Sequence, residues 1–86
     1  MKNGFEVDSQ GTKRLYENGQ IVYVQYYNNT EVWYKNNLAH NENGPALIQI
    51  RFNEKIYKYF INGIQLDIPT NKHLTQEQLE IYITFM

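Results

Sequence analysis

The chain has no cysteine, a single serine (Ser9) and only two histidines (His40 and His73). Without thiols it has neither a disulfide framework nor a thiolate metal site, and a reducing, cytoplasmic setting is the expectation. A metal centre needs three or four ligands at set spacing, which two distant histidines do not supply; no metal and no cofactor is expected. Ser9 lies in a turn-rich stretch with no histidine nearby in sequence, a poor setting for a nucleophile. The five glycines are isolated turn residues and do not build a phosphate-binding loop. Glu31, Glu42, Glu54 and Asp67 all fall in or beside turns or on polar strand faces, where a solvated carboxylate is the ordinary outcome. No catalytic residue is assigned, and the chain is expected not to be an enzyme.

Long apolar runs are lacking as well. No stretch approaches the ~18 residues of a membrane span. The opening residues MKNGFEVDSQG hold one lysine and no apolar segment, so no signal peptide is expected. Asn28-Asn29-Thr30 matches a glycosylation sequon, which without a secretion signal reads as chance. Charge of one sign is lacking too: eight basic residues face nine acidic ones. Only Lys13 and Arg14 are adjacent, which argues against affinity built on phosphate neutralisation.

What the chain does have is eight tyrosines and eleven asparagines in 86 residues. Tyrosine and β-branched residues favour strands, and Asn-Gly pairs favour tight turns. The length fits one domain, which buries only ~60–65% of its unfolded surface.

In chain order, Phe5-Glu6-Val7 reads as a short strand and residues 13–17 as a second, closed by the hairpin signal Asn18-Gly19. Residues 21–27, IVYVQYY, carry apolar side chains on both parities, as in a strand covered on both faces. Residues 30–34 form the next strand, followed by the turn Lys35-Asn36-Asn37. Asn43-Gly44-Pro45 marks a sharp bend, because proline lacks an amide hydrogen and restricts the residue before it. Ala46, Ile48, Ile50 and Phe52 then point one way and Gln49 and Arg51 the other, as in a half-buried antiparallel strand. Asn53-Glu54 turns the chain into residues 55–61, and Asn62-Gly63 turns it again.

Residues 67–74 read as a linker. Thr75 is the expected N-cap of a helix over 75–86, Gln78 completes a capping box, and Leu74 can staple onto Leu79. Leu79, Tyr82, Ile83 and Met86 share one helical face. The fold class is therefore mainly β (α+β): an antiparallel meander of stacked β-hairpins over 5–66 with one C-terminal helix.

Three stretches align without gaps: GTKRLYENG (11–19), NTEVWYKNN (29–37) and KIYKYFING (55–63). Each has a large apolar pair, one variable residue and an Asn-containing turn. A strand–turn unit that cannot bury its own face must stack on its neighbours. VWYKNNLAHNENGPALI resembles the repeat WYxNGxxHRxxGPA of small phage, bacterial and giant-virus proteins, loosely grouped with MORN-type repeats. The likeness is specific at His40, Gly44, Pro45 and Ala46. Asn37 stands where that repeat has glycine and Asn41 where it has arginine. The resemblance implies stacked hairpins, a structural role for His40, Asn43, Gly44 and Pro45, and a scaffold rather than a catalyst. A His40 that bonds the backbone beside Gly44-Pro45 is the form that role would take.

Tyr23, Tyr26, Tyr27, Trp33, Tyr34, Arg51, Tyr57 and Tyr59 are the candidate partner-binding residues. Tyrosine and tryptophan give large rigid contact area at low entropic cost. The first functional reading is a non-enzymatic protein-binding module with a protein partner. Its sharpest form is a phage or mobile-element inhibitor of a host defence protein, anti-CRISPR or antitoxin-like. A nucleic-acid binder that stacks bases on tyrosines is the second; the charge balance disfavours it. Self-assembly through the helix or an edge strand, giving a homodimer, is the third.

Overall fold

Asparagine punctuates the hairpins because of the backbone it must adopt there. The computed structural model describes residues 1–85, and in it four two-residue turns carry positive φ at both positions. They are Asn18 and Gly19 (51° and 80°), Asn36 and Asn37 (52° and 64°), Phe52 and Asn53 (52° and 63°), and Asn62 and Gly63 (49° and 81°). Two left-handed residues in succession make the type I′ turn, whose twist matches that of the strands it joins. Three of the turns close the three aligned stretches. The fourth lies outside them, so the geometry marks a hairpin type and not the repeat.

β1 (Gly4–Val7), β2 (Lys13–Glu17), β3 (Gln20–Gln25), β4 (Glu31–Lys35), β5 (Leu38–Ala39), β6 (Leu47–Arg51) and β7 (Glu54–Lys58) form one antiparallel sheet, in which three of these turns join β2 to β3, β4 to β5 and β6 to β7. Its order is β1-β2-β3-β4-β6-β7, with β5 folded back on the end of β4. β8 (Phe60–Ile61) and β9 (Ile64–Gln65) form a separate two-stranded hairpin, and α1 (Gln76–Thr84) follows. The mainly β meander with a C-terminal helix is thus the fold of the chain.

Cross-strand partners share a face of a pleated sheet. The pairs Phe5–Leu15, Leu15–Tyr23 and Tyr23–Trp33 therefore define one face across β1 to β4. Glu31 shares that face by alternation with Trp33, and its pairing to Ile48, with Ile48 to Tyr57, extends it across β6 and β7. At the β7 end Tyr57 packs against a buried cluster of Tyr59, Ile61, Leu66, Ile68, Leu74 and Leu79. That cluster is the main core; Val24, Val32 and Ala46 are buried outside it. Each such aliphatic side chain is worth ~1.5–3 kcal/mol when fully buried.

The helix begins as the residues dictate. Thr75 Oγ1 accepts from the Gln78 N–H at 3.2 Å, and Gln78 Oε1 accepts from the Thr75 N–H at 3.0 Å. Leu74 and Leu79 are both buried in the same cluster, so the staple positions face the core. Ile83 lies against the cluster, whereas Ile81, Tyr82 and Phe85 are exposed. Met86, assigned to the apolar face from sequence, lies outside the described residues.

Several expectations need correction. The stretch 67–74 is more than a linker, because Ile68 and Leu74 are core residues and the Tyr57 N–H bonds Thr70 O at 2.7 Å. β3 stops at Gln25, where the Tyr26 N–H bonds Thr30 O at 2.8 Å and closes a turn. Of the β3 residues only Val24 is buried, so this strand is not covered on both faces. Along residues 46–52 the inward set thins out. Ala46 is fully buried and Ile48 half-buried, but Ile50 is exposed and Phe52 is 97% exposed. The turn falls on Phe52 and Asn53, one residue earlier than expected, and the core does not reach that tip of the hairpin. Residues 55–61 break at Tyr59, which leaves the sheet to enter the core. Among the described residues no helix is long and apolar enough to cross a membrane.

Candidate functional site: an aromatic groove on the open face of the meander

On β1 to β4 the face that carries the core elsewhere is left open, and a β-bulge shapes it. Leu15 pairs with Tyr23 and Tyr16 with Ile21, which leaves Val22 as the extra residue. A bulge re-aims the side chains beside it. Here Val22 and Tyr23 both line a groove of about 760 Å3, together with Leu15 and Trp33. That volume lies within the ~300–1,000 Å3 typical of binding clefts. Glu17, Asn18 and Gln20 bound one end of the groove, Lys35 and Asn36 lie beside them, and His40, Asn41, Glu42 and Asn43 form the wall on the β5 side.

The floor is held in place by two contacts. The Tyr23 and Trp33 rings meet at 5.1 Å between centroids and an angle of 55°, a tilted pair. The Tyr23 hydroxyl donates to Glu31 Oε1 at 2.6 Å. Burial first, and then the Glu31 carboxylate, push the Tyr23 phenol up to about 12. Tyr23 is therefore a fixed neutral donor throughout the physiological range.

The wall is built on His40, which is buried and has both ring nitrogens engaged. Its Nδ1 accepts from the Asn62 N–H at 2.9 Å, and its Nε2 lies 3.1 Å from Glu42 Oε1. A backbone N–H can only donate, so Nδ1 is unprotonated and the proton sits on Nε2, pointing at Glu42. The His40 N–H itself bonds Trp33 O at 3.0 Å, which ties the wall to the floor.

His40 is thus structural, but it clamps the Asn62 turn and not the bend at 43–45. That bend is held by Asn41, whose Nδ2 donates to Pro45 O at 3.0 Å while its Oδ1 accepts from the Asn43 N–H at 2.9 Å. Asn41 occupies the position where the resembling repeat has arginine, and a short amide closes an Asx-type turn there. Gly44 and Pro45 are buried, yet Gly44 does not sit at positive φ and an added Cβ would meet only Asn41 Nδ2, at 3.9 Å. Asn43 Oδ1 accepts from Gln76 Nε2 at 3.1 Å and so links the wall to the start of α1.

The candidate partner-binding residues divide. Tyr23, Trp33 and Tyr34 line the groove. Tyr26 and Tyr34 also line a smaller cavity of about 250 Å3 with Arg14, Ile21, Val24 and Asn37. Burial, and then the neighbouring Tyr26, raise the Tyr34 phenol. Arg14 is held at 3.0 Å by Asp8, whose carboxyl it keeps below the usual range. Tyr27 is 76% exposed in the turn after β3, and Arg51 is exposed at the tip of the β6–β7 hairpin. Tyr57 packs edge-on against His73 at 4.9 Å. Tyr59 is not available to a partner: it is 1% exposed, accepts from the Leu74 N–H at 2.7 Å and donates to Lys72 O at 3.0 Å.

The residues missed from sequence are Leu15, Val22, Asn41 and Glu42, together with Glu17, Asn18, Gln20, Lys35 and Asn36 at the end of the groove. Val22 has no signal short of the bulge itself, whereas Asn41-Glu42-Asn43 carries the spacing of an Asx turn. Among the described residues no three acidic or histidine side chains come together as a metal site would require. Compared with protein-family models, with curated proteins and with solved structures, the chain matches none.

Proposed function

We propose that the chain is a non-enzymatic protein-binding module that receives its partner in the groove over β2, β3 and β4. The observation that carries this reading is the half-exposed Tyr23–Trp33 pair at the centre of a concave face. Interface hot spots are enriched in tyrosine and tryptophan, set in a preformed depression within a polar rim. Here the rim is supplied by Asn18, Gln20, Asn36, Asn41 and Asn43. Rigidity supports the reading as well. Tyr23 is held by Glu31 and the wall by His40, so little ordering entropy remains to oppose binding. A host defence or regulatory protein as the partner, blocked by this chain, rests on the resemblance of the repeat alone.

The test is co-purification from a lysate of the cells in which the chain occurs, with the wild type and Trp33→Ala compared. One protein retained in stoichiometric amount by the wild type and lost from a folded Trp33→Ala variant is the expected result. Absence of any stoichiometric protein, or equal retention by both, would overturn the proposal.

A further inference from the structure

Resting on the protein-binding reading, we infer that the groove recognises a basic side chain of the partner, an arginine guanidinium laid over Trp33 and Tyr23. The charges of the site point to it. Among the described residues that line the groove, Glu17 and Glu42 are acidic and Lys35 is the only cation. Glu31 adds a third carboxylate beside the floor, bonded to the Tyr23 hydroxyl at 2.6 Å. Glu42 spends one oxygen on His40 Nε2–H, and its side chain is 59% exposed, which leaves Oε2 to accept from a ligand. Among the described residues no ion pair joins Lys35 to any of these carboxylates.

The floor supplies what carboxylates alone do not. An aromatic face attracts a cation through its quadrupole, most strongly for tryptophan. Guanidinium is planar, weakly hydrated and always charged, so it can stack on a ring while its edge donates to a carboxylate. Its aliphatic stem has apolar surface to lie on in Leu15 and Val22, as long basic side chains commonly do. The floor spans three strands, ~10 Å between the outer two, which is enough for one extended side chain. A phosphate or acidic side chain would instead face three carboxylates against one ammonium.

The probe is N-acetyl-arginine amide, titrated into the intact 15N-labelled protein, with the norleucine and glutamate amides as controls. The chain has one tryptophan, so its indole N–H is an unambiguous reporter. Saturable shifts of the Trp33 indole and of the Val22, Tyr23 and Glu42 amides, given by arginine alone, are expected. Affinity should fall ~3- to 10-fold in the double variant Glu17→Gln, Glu42→Gln, as the loss of partly exposed charge partners allows. The Glu42→Gln change leaves a side-chain oxygen that can still accept from His40, so this variant keeps the wall. Equal shifts with norleucine amide, no saturable shift, or an unchanged affinity in the double variant would overturn the inference. A failed arginine probe alongside a Trp33-dependent protein partner overturns only this inference. Saturable arginine binding with no protein partner recovered overturns only the reading it rests on.

Discussion

On the β6–β7 side of the sheet, six side chains from Tyr59 to Leu79 of α1 close the main core. On the β1–β3 side the same face of the same sheet has no second layer, and its aromatic residues floor an open groove. The molecule is only 18 Å thick in its shortest dimension, against 38 and 33 Å in the others. The difference shows how a short chain divides its few large apolar groups. Tyr59 and Tyr23 are the same residue type, each with its hydroxyl bonded. One bonds backbone inside the core and the other a carboxylate at the edge of a groove. Most of the stability is expected in the first region, and the proposed recognition surface lies in the second.

The comparison breaks most readily at Leu79, which is fully buried. Leu79→Ala should cost ~2–5 kcal/mol in urea denaturation, while Leu15→Ala on the half-exposed floor should cost under ~1.5 kcal/mol. Equal losses would mean that the meander carries its own core. Tyr59→Phe comes next. It strips the Leu74 N–H of its acceptor inside the core and should cost ~1–3 kcal/mol. Tyr23→Phe frees Glu31 to meet water and should cost less than about 1 kcal/mol while weakening partner binding.

The glycines sharpen the same contrast. Gly63 has φ +81° and a Cβ there would meet Leu38 Cδ2 at 3.3 Å, so Gly63→Ala should cost ~1 kcal/mol or more by thermal melting. Gly44→Ala should stay within ~0.5 kcal/mol, because its backbone is one any residue adopts and the space is open.

The smallest effect is electrostatic. Followed by NMR of its ring, Tyr23 should titrate near 12, above the ordinary 10.0. Because the folded value is raised, its contribution to stability is fully present below the unfolded value and is lost as pH climbs through about 12. Glu31→Gln should bring the midpoint only part of the way down, since burial is the larger cause. A midpoint at the ordinary value in the wild type would mean that Tyr23 is fully solvated and the groove is not formed.

The sequence is most legible where local chemistry decides the outcome. The capping box at Thr75 and Gln78 and three of the hairpin turns follow from residue type alone, because each depends on neighbours in the chain. The turn at Phe52 and Asn53 is displaced by one residue because register is set by strand pairing, and phenylalanine offers no reason to expect a left-handed backbone. The site is legible only in its aromatic supply. Tyr59 reads like Tyr23, and what separates them is the return of 66–74 over one end of the sheet. Val22 enters the groove through a bulge that alternation does not reveal. His40 reads as a residue of the bend beside Gly44-Pro45, but it follows β5 directly and its Nδ1 partner lies across the fold at Asn62, a contact of long sequence separation.

Residue-resolved amide hydrogen exchange tests the division of labour most directly, because bonds of equal length occur in both regions. The Leu66 N–H bonds Tyr59 O at 2.8 Å and the Tyr26 N–H bonds Thr30 O at 2.8 Å. The Leu66, Leu74 and Leu79 amides should exchange only through global unfolding, and the Asp8 and Tyr26 amides through local opening of far lower cost. Exchange of the Asp8 and Tyr26 amides as slow as that of Leu74 would contradict the account.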